Sequence, residues 1–122
     1  MRWLFLLIVI VFATGCSPSD RKLVGPYSLE RFDENGKFYI NKAGVDLSGG
    51  GIIDGIVLRI GWNSHYIVAE RYSMYRGDPD GWMIIDVQTG AMSGPFSAAD
   101  FQARPESKGI KIYEASEAWK SL

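Results

Sequence analysis

The sequence predicts an α+β domain that is mainly β: a single antiparallel sheet of about five or six strands with one or two short helices. Three observations lead there. Short runs in which apolar and polar residues alternate recur between clusters of Gly, Asn, Asp and Pro, as half-buried strands bounded by turns do. Two apolar runs, 56–62 and 65–72, flank Asn63-Ser64 like the arms of a hairpin. Helical spacing of apolar residues is confined to short stretches near the C-terminus.

The N-terminus comes before that domain and follows other rules. Met1-Arg2 supplies a positive charge, and residues 3–13 form an uncharged apolar run that ends in small and polar residues. A spanning helix needs about 20 apolar residues, so this run is too short. Its layout is that of a signal peptide, with residues 1–15 expected to be cleaved. The closing residues Ala13-Thr14-Gly15-Cys16 resemble the lipobox of bacterial lipoproteins, although Ala13 stands where Leu is commonest. The resemblance implies that Cys16 receives a diacylglyceryl group, becomes the mature N-terminus and holds the chain on a membrane of the cell envelope, facing the periplasm. Ser17, rather than Asp, after the cysteine resembles the pattern passed to the outer membrane in bacteria with two membranes. Cys16 is the only cysteine, and a leftover thiol in an exported chain calls for a reason.

Taking residues 1–15 from the 122 of the full chain leaves 107, enough for one core and not for two. Residues 16–22 read as the lipidated cysteine and a polar tether, and residues 23–122 as a single globular domain. Loss of Arg2 takes the formal charge from −1 to −2, so no basic field points to nucleic acid. Without a second cysteine there is no internal disulfide, and packing must stabilise the domain; 47% apolar residues supply the material. One cysteine and one histidine do not make a Cys/His zinc site. No cofactor motif is present.

Within the domain, Tyr27 and Leu29 alternate with Ser28 and Glu30 as in a strand, Asp33-Glu34-Asn35-Gly36 supplies turn chemistry, and residues 37–41 return. Residues 43–55 hold five glycines and read as a loop; phosphate binding would need a helix N-terminus after them, and a strand follows instead. For the central hairpin, a turn at Asn63-Ser64 sets Trp62 opposite His65, Ile60 opposite Ile67 and Leu58 opposite Ala69, with Arg59 and Glu70 diagonal on the other face. Residues 82–87 are apolar on both faces, as in a strand covered on each side. Residues 91–96 return along an edge, where Pro95 is tolerated. Ser97 caps a short helix over 98–104, residues 110–113 alternate as a further strand, and Ala115, Ala118, Trp119 and Leu122 line one face of a C-terminal helix.

Few residues carry chemistry. His65 is the only histidine, so a general base would have to be His65, and the local sequence holds no Ser, Cys or second His against it. Asp78-Pro79-Asp80-Gly81 fits turn chemistry better than a calcium loop, whose terminal bidentate Glu is missing. The 72–82 segment offers Tyr72, Met74, Tyr75, Arg76 and Trp82, types enriched at protein interfaces, and these are the expected partner contacts.

The domain is also similar to small uncharacterised bacterial lipoproteins that share Gly25-Pro26-Tyr27, Gly61-Trp62-Asn63, Ile84-Ile85-Asp86, Thr89-Gly90 and Gly94-Pro95, a resemblance that implies no activity. The expected function is a membrane-anchored, non-enzymatic binding or accessory module with an envelope protein as partner, an immunity lipoprotein neutralising a toxin being one form. The alternative of another class is a small envelope hydrolase built on His65.

Overall fold

The computed structural model describes residues 19–32, 36–45, 51–73 and 79–122. The chain is mainly β, as expected, but its strands form two antiparallel sheets instead of one. The first sheet has the order β1 (Asp20–Val24), β2 (Tyr27–Arg31), β3 (Phe38–Lys42). The second contains β4 (Ile56–Trp62), β5 (Tyr66–Tyr72), β6 (Gly81–Asp86), β7 (Met92–Phe96) and the short β8 (Tyr113–Glu114), in the order β7-β6-β5-β4-β8. Helix α1 spans Ala98–Ala103 and helix α2 spans Ala115–Ser121.

The main core lies between the sheets. Tyr27, Leu29, Phe38 and Ile40 from the first sheet meet Val57, Ile60, Ile67, Ala69, Met83 and Ile85 from the second, with Ala115, Ala118 and Trp119 of α2 closing one side. The pairs Tyr27/Leu29, Phe38/Ile40, Ile67/Ala69 and Met83/Ile85 follow the period of two that sends alternate side chains to one face, and in β4 a bulge between Val57 and Arg59 brings Val57 to the same face as Ile60. Splitting the strands lets both sheets bury an apolar face against each other, which a single sheet with short helices would leave in water. The glycine-rich passage makes the crossing: Gly51, at φ +70°, lies where a Cβ would stand 2.5 Å from the Ile40 carbonyl oxygen, so only glycine lets the chain run back along β3.

A second, smaller core covers the other face of the five-stranded sheet. Val68, Trp82, Ile84 and Phe101 are its buried members, with Tyr66, Phe96, Ile110 and Ile112 against them. The apolar character of β6 on both faces is thereby explained, and Pro95 sits on edge strand β7 as expected. Ser97 caps α1, its hydroxyl accepting the Asp100 amide at 3.1 Å.

Three local expectations are corrected. The central hairpin pairs Ile60 with Ala69, Trp62 with Ile67 and Arg59 directly with Glu70, a slip of two residues. Asn63 stands before the tip instead of in it: its Oδ1 accepts the amides of His65 (2.9 Å) and Tyr66 (2.8 Å), leaving Ser64 and His65 at the tip. The slip of two residues keeps Ile60, Ile67 and Ala69 on the core face, but a bulge between Val57 and Arg59 reverses the start of β4: Val57 is buried and Leu58, expected opposite Ala69, is 42% exposed. Residues 110–112 do not pair with β4; only Tyr113 and Glu114 do, because the preceding backbone packs flat over Gly61. Finally, Asp20, Arg21 and Lys22, expected in the tether, belong to β1 and pair with Glu30, Leu29 and Ser28.

Candidate binding surface

The expected contact residues fall into three groups. Tyr72, at the end of β5, is 48% exposed. Met74, Tyr75 and Arg76 lie outside the described residues. Trp82 is a correction: it is 5% exposed and stacks on Phe101, ring centroids 4.3 Å apart and planes within 3°, so it is a core residue and not a contact. The aromatic richness of the segment could not distinguish the two roles, since Phe101 arrives from α1, far along the chain.

Around that stack the outer face of the five-stranded sheet forms a surface. Period two places Arg59 of β4, Glu70 and Tyr72 of β5 and Trp82 of β6 on one face. The Arg59 guanidinium donates to both Glu70 oxygens, at 2.6 Å and 3.3 Å, and lies 5.3 Å from the Trp82 ring centroid. Glu70 raises the Arg59 pKa above its usual value, so Arg59 stays charged. Beside this pair is a cleft of about 450 Å³ lined by Arg59, Trp82, Phe101, Gln102, Lys108 and Ile112. Lys108 donates to the Gln102 carbonyl at 3.3 Å, on the rim. Tyr72 stands one step along the same face from Glu70. The combination of an exposed aromatic, a cation and a shallow cleft with a rigid floor suits contact with another macromolecule. In the sequence this surface is hinted at by Tyr72, an expected contact, and by the opposite charges of Arg59 and Glu70 in facing arms.

Beneath the 72–82 segment, Arg71 is 7% exposed. It donates to the Ile53 carbonyl (2.8 Å) and the Pro79 carbonyl (2.8 Å), holding the turn before β4 and the approach to β6 together. The Ser73 amide donates to Asp80 Oδ1 at 2.8 Å, so Asp80 serves the loop as turn chemistry predicts. Two charged side chains thus tie these residues together: Asp80, which turn chemistry predicts, and Arg71, which the sequence alone leaves unassigned.

His65 is exposed at the hairpin tip and lines none of three clefts: the one above, one of about 290 Å³ beside Phe38 and Leu58, and one of about 370 Å³ beside Lys22 and Asn41. It acts weakly on Asp86, whose Oδ1 accepts the amides of Gln88 (2.9 Å) and Thr89 (3.0 Å). These donors, the Thr89 amide above all, hold the Asp86 pKa below its ordinary value, with His65 a minor contributor. Among the described residues, no three His, Cys, Asp or Glu side chains are grouped to hold a metal ion, and no helix is long and apolar enough to cross a membrane.

Comparison with family models, curated proteins and solved structures finds no match for this chain.

Proposed function

We propose that this chain is a bacterial envelope lipoprotein, acylated at Cys16, whose domain acts as a non-enzymatic binding or accessory module. The observation that carries the anchor is the apolar run closed by Thr14-Gly15-Cys16, the chain's one thiol. A domain in which Ser19 is already bonded to Arg31 and Trp119, three residues beyond that cysteine, supports it. The binding role is supported by the Tyr72, Arg59 and Glu70 surface and its cleft, and by the engagement of Asp86 in its own turn instead of in a pair with His65. The partner is an envelope protein, and a toxin arriving in the periplasm would be one such protein.

The anchor is tested by replacing Cys16 with Ser, which should move the protein from the membrane to the soluble fraction, while mass spectrometry of the native chain should find lipid on Cys16. An unmodified mature Cys16 would overturn the anchor. The surface is tested by cross-linking in intact cells: Tyr72→Ala should lose the partner captured by the native chain, and undiminished capture would remove Tyr72 from the contact.

A further inference from the structure

Ser19 is fastened twice: its carbonyl accepts the Arg31 amide at 2.8 Å and the Trp119 indole N–H at 3.1 Å. Arg21 adds a third tie, donating to the Trp119 carbonyl at 2.7 Å. The chain from Cys16 to Ser19 has three Cα–Cα steps and reaches at most about 11 Å. If Cys16 carries lipid, as proposed above, the tether is half the length expected for residues 17–22, and the Ser19 corner has no freedom to leave the bilayer surface.

What that corner exposes becomes decisive. Phe32 follows Arg31 directly and is 67% exposed, above Val45 (46%), Leu58 (42%), Tyr72 (48%) and Met92 (49%). Its amide donates to the Lys37 carbonyl at 2.8 Å, and its ring meets Tyr39 edge-on with centroids 5.8 Å apart. Period two puts Phe32 and Tyr39 on the outer face of the three-stranded sheet, away from the core. A single exposed aromatic is ordinary on a soluble domain. An exposed Phe held within a short tether's reach of a lipid anchor is not, because Phe, like Trp and Leu, buries at the boundary of headgroups and acyl chains when an apolar face lies on a bilayer.

We infer that the Ser19 corner is a membrane-contacting surface and that Phe32, steadied by Tyr39, seats in the lipid interface beside the anchor. The charges nearby are mixed, with Arg21, Lys22 and Arg31 offset by Asp20 and by Asp33 and Glu34 next in the chain. The occupant is therefore the interfacial zone of any bilayer, without a requirement for anionic lipid. The contact would fix which way the domain faces, with β7 carried on the edge of its sheet opposite β8 and α2.

This inference rests on the anchor reading, and one experiment separates the two. Lipidation blocks the Cys16 sulfur, so an introduced cysteine is the sole reactive thiol. The full lipoprotein carrying Phe32→Cys, and separately Met92→Cys, is labelled with an environment-sensitive fluorophore and placed in phosphatidylethanolamine/phosphatidylglycerol vesicles containing shallow brominated lipid. The expected result is a blue-shifted emission and at least about twofold quenching at position 32, little change at position 92, and the same outcome in phosphatidylcholine vesicles and at high salt. Lipid confirmed on Cys16 by mass spectrometry, together with equal and weak quenching at both positions, would overturn the membrane contact alone. Unmodified Cys16 would overturn the anchor and the contact together.

Discussion

Arg21 of β1 and Trp119 of α2 clasp one another: the guanidinium lies 3.6 Å from the indole centroid and donates to the Trp119 carbonyl at 2.7 Å. Arg31 adds a second guanidinium 4.3 Å from the same ring. The Arg21 cation also reaches the carbonyls of Lys120 and Leu122 at 3.5 Å, so it complements the negative end of the last helix. The two ends of the domain are joined at this point.

Removing the clasp should loosen both ends. Arg21→Ala should lower unfolding stability by about 1–2 kcal/mol, the range of a charge-assisted hydrogen bond with a partly exposed cation–π contact. Urea titration measures it; a loss below about 0.3 kcal/mol would show that the contact contributes only geometry.

Trp82 and Tyr72 should part company. Trp82→Ala leaves a void against Phe101 and should cost about 3–5 kcal/mol. Tyr72→Ala, at an exposed position, should stay within about 0.5 kcal/mol of the native chain. Thermal melts of the two variants settle the assignment, and a stable Trp82→Ala domain would contradict the buried stack.

Gly61 is a clearance. A Cβ there would lie 2.5 Å from the Lys111 carbonyl oxygen and 2.6 Å from Ile110 Cγ2. Gly61→Ala should push residues 110–112 off the sheet at a cost of about 1–3 kcal/mol, as overpacking does. Amide exchange should then rise first around Ile110 and Ile112, and uniform acceleration across the chain would argue against a local clash.

Asp86 should give the domain a pH dependence in acid. Its folded pKa is depressed below the ordinary 3.8 by the amides of Thr89 and Gln88. A depressed folded pKa means stability that is complete above the unfolded value and is lost as pH falls through the folded one. Asp86→Asn retains an acceptor without the charge, so its melting temperature should fall less than the native chain's between about pH 5 and 2. Parallel curves would assign acid sensitivity elsewhere.

What was legible in the sequence was whatever depends on near neighbours. The period-two runs of β2, β3 and β5, the Ser97 cap, the edge proline and the apolar face of α2 each follow from a few consecutive residues, and each stands where expected, whereas the run at 110–112 does not form a strand. Most side-chain faces survived the wrong register, because a slip of two residues leaves alternation unchanged; Leu58 did not, because the bulge after Val57 turns it outward.

The tertiary structure decided what depends on residues far apart. Trp82 is core because Phe101 stacks on it; β1 is a strand and not a tether because Leu29 and Trp119 hold its residues. The division into two sheets needed the crossing at Gly51, whose close approach to Ile40 no local pattern announces. Local propensity and periodicity are written in adjacent residues, whereas burial and partnership are set by which distant surfaces exclude water together.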